Sequence, residues 1–220
     1  LKIASTPLAA GDFVMVAGYP GRTNRLSTAD EVKDAMQWRY PRDIERYGET
    51  IALLESIGKR KPELAIKAAS RTRRLANYYT NFKGMLEGLE KGGLADRKVA
   101  HEAELRAWIE ADATRKAKWG TVLDELAAMD AEYRKTRDHD AALREIGEGS
   151  QLFGAVLGLA VMIDNPEATR AELQAGVEGA AGSLEPELDR PLLQLALARA
   201  ARLPDESRPE DVMVALLGPR

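Results

Sequence analysis

The chain has 220 residues, 45% hydrophobic and 30% charged, which is a globular composition with enough length to bury a core. Its 32 basic and 35 acidic side chains leave a formal net charge of −3, so the strong basic excess of a dedicated nucleic-acid binder is missing. There is no cysteine, which excludes disulfides, thiolate metal sites and a cysteine nucleophile.

Elements in chain order begin with β character. Leu1–Ala4 and Asp12–Ala17 read as strands, the second containing Phe13-Val14-Met15-Val16. Gly18-Tyr19-Pro20-Gly21 then supplies a turn, with Pro20 presetting φ and Gly21 accepting a positive φ. Two strands are marginal alone in water, so the expectation is a sheet completed elsewhere in a longer polypeptide. The start at Leu1 without an initiator methionine or signal peptide, and the end at Pro219-Arg220, carry the same expectation of a piece.

From Ser27 onward the pattern is helical. Ser27 is expected to cap the first helix, with Asp30 and Glu31 in its first turn, and Pro41 to break it. A second helix is expected from Pro41 to Gly58 and a third from Pro62 to Lys91, closed by Gly92-Gly93. At 1.5 Å per residue the third would be ~45 Å long. Asp96 is expected to cap a fourth helix running past Trp108 and Trp119 towards Arg134. Further helices are expected at Asp140–Ile163, Pro166–Ala181, Glu185–Leu203 and Pro209–Leu217, several opened by proline. The apolar run Leu152–Ile163 is too short to span a bilayer and reads as a buried helix, with Gly154 and Gly158 allowing close backbone approach. No period of 20–50 residues marks a solenoid.

Most catalytic patterns are incomplete. His101-Glu102-Ala103-Glu104-Leu105 starts like a helical zinc motif but has leucine where the second imidazole must stand, so His101 reads as a surface residue. His139, between Asp138 and Asp140, reads as part of a solvated connection near a helix junction. Ser56 and Lys59 form an isolated Ser-x-x-Lys match at a helix end. There is no nucleophile elbow and no Walker loop. The basic clusters Lys59-Arg60-Lys61 and Arg71-Thr72-Arg73-Arg74 read as solvated helix faces.

The most informative segment is Leu75-Ala76-Asn77-Tyr78-Tyr79-Thr80-Asn81-Phe82, continued on one face by Gly84 and Gly88. Asparagine and glycine are poor helix-interior residues, glycine by about 1 kcal/mol against alanine. Asn77 and Asn81 are one turn apart, so both amides can address one ligand, each offering a carbonyl acceptor and an NH₂ donor. The same stripe would also suit close helix packing, with the amides bonded to a neighbouring backbone. The pattern leaves both open.

Two blocks carry a resemblance. Gly11 to Arg25, with Thr28-Ala29-Asp30-Glu31-Val32, is similar to the last barrel strand of the bacterial serine dipeptidyl peptidases of the dipeptidyl peptidase 7/11, or dipeptidyl aminopeptidase BII, type. Leu75 to Leu89 resembles the same family's helical-domain motif, and Lys98, Glu102 and Trp108 fit the stretch after it. Asp189-Arg190-Pro191-Leu192-Leu193 is compatible with the family.

The resemblance implies a mainly α chain: a multi-helix cap domain, residues 27–220, inserted into a chymotrypsin-like double β-barrel whose strands contribute residues 1–26. It implies removal of dipeptides from peptide N-termini, with the catalytic triad outside this chain and no cofactor. Asn77 falls on the residue that grips the substrate's free α-amino group, and Asn81 would support it. Thr80 departs from the family's frequent lysine. The implied partner is a peptide with a free N-terminus, not nucleic acid or membrane. The implied setting is periplasm or cell surface, with a homodimer as a possible assembly of the full-length enzyme. The alternative from the residues alone is a free-standing helical interaction module.

Overall fold

The computed structural model describes residues 7–15, 25–163 and 170–218. Among them the regular structure is helical and there is no strand. Asp12–Met15, expected within a strand, is non-repetitive chain with Phe13 and Met15 in solvent. A strand needs a neighbour to satisfy its backbone groups, and none is within reach among the described residues. Leu1–Ala4, Val16-Ala17 and the Gly18–Gly21 turn lie outside the described residues.

Helix α1 (Ala29–Asp34) starts one residue later than the sequence suggests. Thr28, not Ser27, is the cap. Thr28 Oγ1 accepts from the Glu31 amide at 3.1 Å, and the Glu31 carboxylate accepts from the Thr28 amide at 2.7 Å. The reciprocal pair requires a Glu or Gln three residues on, and Ser27 would have had only Asp30 there.

Pro41 does not end the helix. A π turn, Ala35–Arg39, leads directly into α2 (Tyr40–Arg60), with Pro41 in its first turn. The wider turn absorbs the missing amide and the ring that would otherwise collide with the preceding carbonyls.

Helix α3 (Pro62–Gly92) folds back on α2. Lys61 is extended, as the residue before proline prefers. Leu54, Ile57, Leu64 and Ala68 are buried between the pair. Gly58 permits the tightest approach: a Cβ there would sit 2.8 Å from the Ala65 Cβ. Farther along, the Tyr79 ring covers Gly48, and Tyr40, Tyr47, Tyr78 and Phe82 form an aromatic cluster with centroids 5.2–6.2 Å apart. Gly93, in the left-handed region at φ 59°, closes α3 and opens α4 (Leu94–Glu110), so Asp96 lies in the first turn and is not the cap.

The expected long fourth helix is three helices. Asp112 caps a short α5 (Ala113–Trp119), accepting from the Arg115 amide at 2.8 Å, and α6 (Val122–Gly149) comes next. His139 is inside α6, not at a junction. The second half of α6 buries Ala142 and Ile146 against Ala196, Leu197 and Ala200 of α9 (Pro186–Ala200) and Met213 of α10 (Glu210–Leu217).

Helix α6 stops at Ser150, a break hidden within the expected Asp140–Ile163 helix. The buried Asp189 carboxylate of α9 accepts from the Ser150 hydroxyl at 2.7 Å and from the Gln151 amide. Ser150 Oγ in turn accepts from the Phe153 amide at 3.0 Å, capping α7 (Gln151–Ile163). Leu152, Val156 and Leu157 of α7 are exposed, so the helix is not buried as expected. It packs against α8 (Arg170–Ser183) and the end of α6, and these leave part of its apolar surface exposed. Gly154 does allow the close approach expected of it, to the Gly147 carbonyl.

Candidate functional site

Helix α3 has two unlike faces. At about 100° per residue, Leu64, Ala68, Leu75, Tyr79, Phe82 and Leu86 share the side packed on α2. Asn77, Asn81, Gly84 and Gly88 cluster within roughly 60° on the opposite side. All four are exposed. A Cβ placed on Gly84 or Gly88 would meet nothing within 4 Å among the described residues. The packing alternative for these glycines finds no neighbouring helix among the described residues, and no neighbouring backbone there takes the two amides.

The aromatic cluster fixes how α3 is rolled about its axis. Tyr78, between the two faces, stacks on Tyr47 of α2, Phe82 meets the same ring at a tilt, and Lys83 lies over the Tyr79 ring at 5.2 Å. The amides thus stand on a rigid two-helix platform and point away from it. Their chemistry is that of neutral donors and acceptors, suited to an ammonium or a peptide group.

The other sequence candidates stay apart. His101 is exposed on α4, and among the described residues no group of histidines and carboxylates could hold a metal. Ser56 and Lys59 are exposed in the last turn of α2. Arg71 is not a free cation: its guanidinium is half-buried and donates to the Glu148 carbonyl at 3.1 Å. Burial and the neighbouring Arg74 hold its pKa below the ordinary value.

Two of the residues that carried the resemblance have clear structural work. Glu102 accepts from the Ala29 amide at 2.6 Å, and Lys98 donates to the Arg25 carbonyl at 2.8 Å. Together they tie α4 to the entry of α1. Trp108 stacks on Trp119 at 6.0 Å, with the Arg115 guanidinium 4.0 Å from its ring centre.

Sequence reasoning missed a polar centre among α2, α6 and α9. Glu145, buried on α6, pairs with Arg42 and lies 3.9 Å from Arg46 and 3.8 Å from Arg199. Arg199 also holds Glu49. Burial pushes the Glu145 and Asp43 carboxyls above their ordinary values, against the pull of the arginines. The available signal was Glu145 itself, a charge on the same helical face as Ala141, Ala142 and Ile146. Nearby, Arg42 and Arg137 flank the Trp38 ring, whose Nε1 donates to Asp138 at 2.6 Å. The centre contains no activated nucleophile; it joins helices.

Residues 1–218 match the family model described as Peptidase S46. This chain belongs to the Peptidase S46 family. Among its curated relatives is an Asp/Glu-specific dipeptidyl-peptidase of Shewanella putrefaciens, 34% identical over 109 residues, which are 50% of this chain and 15% of the relative. A dipeptidyl-peptidase 7 of Capnocytophaga gingivalis is 32% identical over 141 residues, 64% of this chain and 19% of that protein. A dipeptidyl-peptidase 7 of Porphyromonas gingivalis is 27% identical over 203 residues, 91% of this chain and 28% of that protein. The S46 chain therefore spans between 15% and 28% of the lengths of these relatives. The family read from the Gly11–Val32 and Leu75–Leu89 blocks is the family that the comparison finds. Among the described residues, no helix is long and apolar enough to cross a membrane.

Proposed function

We propose that this chain is the helical cap of a serine-type dipeptidyl peptidase, and that Asn77 binds the substrate's α-ammonium group with Asn81 in support. Family membership and the relatives' names support the peptidase class. The observation that carries the local reading is the stripe itself: two amides and two glycines on a face of α3 that no described residue covers, directly opposite the face that packs on α2. A cleft wall needs such a face, with polar groups presented from a rigid support and no bulky side chain between them and the ligand.

In this reading the Asn77 carbonyl accepts from the ammonium, so only a peptide with a free N-terminus is held in register for cleavage after its second residue. The acyl-enzyme chemistry requires a nucleophile, a base and oxyanion donors that other parts of the polypeptide supply. Residues 1–26 belong to the barrel and 27–220 to the cap, and the enzyme works in the periplasm or at the cell surface. A homodimer would be an assembly of the whole enzyme.

The test is Asn77→Ala in the full-length enzyme, assayed on a dipeptidyl-arylamide. A hydrogen bond to a charged group is worth roughly 1.5–3 kcal/mol, so kcat/KM should fall about 10- to 150-fold. The same substrate with an acetylated N-terminus should be poor for both proteins and lose little more on substitution. Unchanged kcat/KM for the free amine, or an equal further loss for the acetylated substrate, would remove Asn77 from this role.

A further inference from the structure

The first half of α6 carries an apolar seam with nothing on it among the described residues. Val122, Leu126, Met129 and Tyr133 succeed one another at spacings of four, three and four residues, the repeat of a helix that packs along another helix. They are 38%, 43%, 69% and 45% exposed. Single exposed hydrophobics are ordinary, but four in one row over three turns, about 16 Å, are a seam. The stretch before Ala141 buries no side chain, and an isolated helix of about that length is marginal in water.

The flanks of the seam are acidic. Glu125 and Glu132 border one side and Asp130 the other, and Val122–Tyr133 contains no basic residue. Arg134 reaches Asp130 from beyond the border, and Lys135 pairs with Glu132 at 2.6 Å from the far side. Two copies of this seam would face carboxylate with carboxylate in either orientation, which opposes self-pairing.

We propose that the Val122–Tyr133 seam docks a helix of the same polypeptide lying outside these 220 residues, one with an apolar row flanked by lysine or arginine. This rests on the reading of the chain as part of a full-length peptidase. The supporting facts are the acidic borders and the 15–28% of their lengths over which the relatives align, which leave most of such a protein to supply the partner. Docking would hold α6, and through its second half the α9 core, against the rest of the enzyme.

Cysteine labelling tests it, because residues 1–220 contain no cysteine. In the full-length enzyme, Met129→Cys and Ala131→Cys place thiols on the seam and on the opposite, exposed face of the same helix. N-ethylmaleimide modification of each is measured by mass spectrometry of the peptide that contains it. The thiol of the Met129→Cys variant should react at least ten times more slowly than that of Ala131→Cys. Glu125→Lys with Glu132→Lys should bring the two rates within about threefold. Equal rates in the original background would overturn the proposal. So would protection of the seam thiol that grows with protein concentration, which would mean a second copy, or that arises only with added peptide. The labelling contrast does not depend on Asn77, so failure of the amine-anchor reading leaves it standing and the reverse also holds.

Discussion

Gly58, Gly84 and Gly88 are the same residue in two long helices, yet they do different things. Gly58 lies under Ala65, where an added Cβ would be 2.8 Å from another Cβ. Gly58→Ala should therefore overpack the α2–α3 contact and cost about 1–3 kcal/mol in a urea titration. Gly84 and Gly88 touch nothing on their open side among the described residues, so Gly84→Ala and Gly88→Ala should each stabilise the chain by about 0.5–1 kcal/mol through helix propensity. A loss of stability in either would mean that the stripe packs within this chain after all. The sequence marks Gly84 and Gly88 as unusual for a helix interior and puts Gly58 at a helix end. It does not say which one is covered, because that depends on how α3 is rolled against α2. The pairing of Asn77 with Asn81, by contrast, comes from helical geometry alone.

Helix starts at Pro62, Pro186 and Glu210 lie close to where the sequence places them, since proline and acidic first turns act locally. Breaks made by distant partners were not legible. The end of α6 depends on Asp189, thirty-nine positions from Ser150 and in another helix. Asp189→Ala should remove two hydrogen bonds and leave the buried Ser150 hydroxyl short of an acceptor, at a cost of about 2–3 kcal/mol. Hydrogen exchange should speed up at the Gln151 and Phe153 amides more than at amides of α2. Uniform acceleration would mean that the cap is not local to α7. Pro41 errs the other way: a proline that should stop a helix is carried through it by a π turn.

At the level of the whole molecule, Glu145 ties three helices that are far apart in sequence. Its folded-state pKa and that of Asp43 are raised above their ordinary values of 4.5 and 3.8, chiefly by burial. Between those ordinary values and the raised ones, the folded chain holds protons that the unfolded chain has released. Stability from these groups therefore falls as pH rises through that window. Urea titrations across it should show this slope, and Glu145→Gln should flatten it; an unchanged slope would place the titration elsewhere. At neutral pH, Glu145→Ala leaves Arg42, Arg46 and Arg199 without their shared carboxylate and should cost about 3 kcal/mol. By itself the sequence determined the helical class, most of the helix starts, the family and the two amides on one face, because these arise from local propensity, from period and from motif. Only the tertiary structure decided that Glu145 is a buried junction and that, among the described residues, nothing covers the Asn77 stripe or the α6 seam. Each of those depends on what a side chain meets across space, and residues far apart in the chain set that.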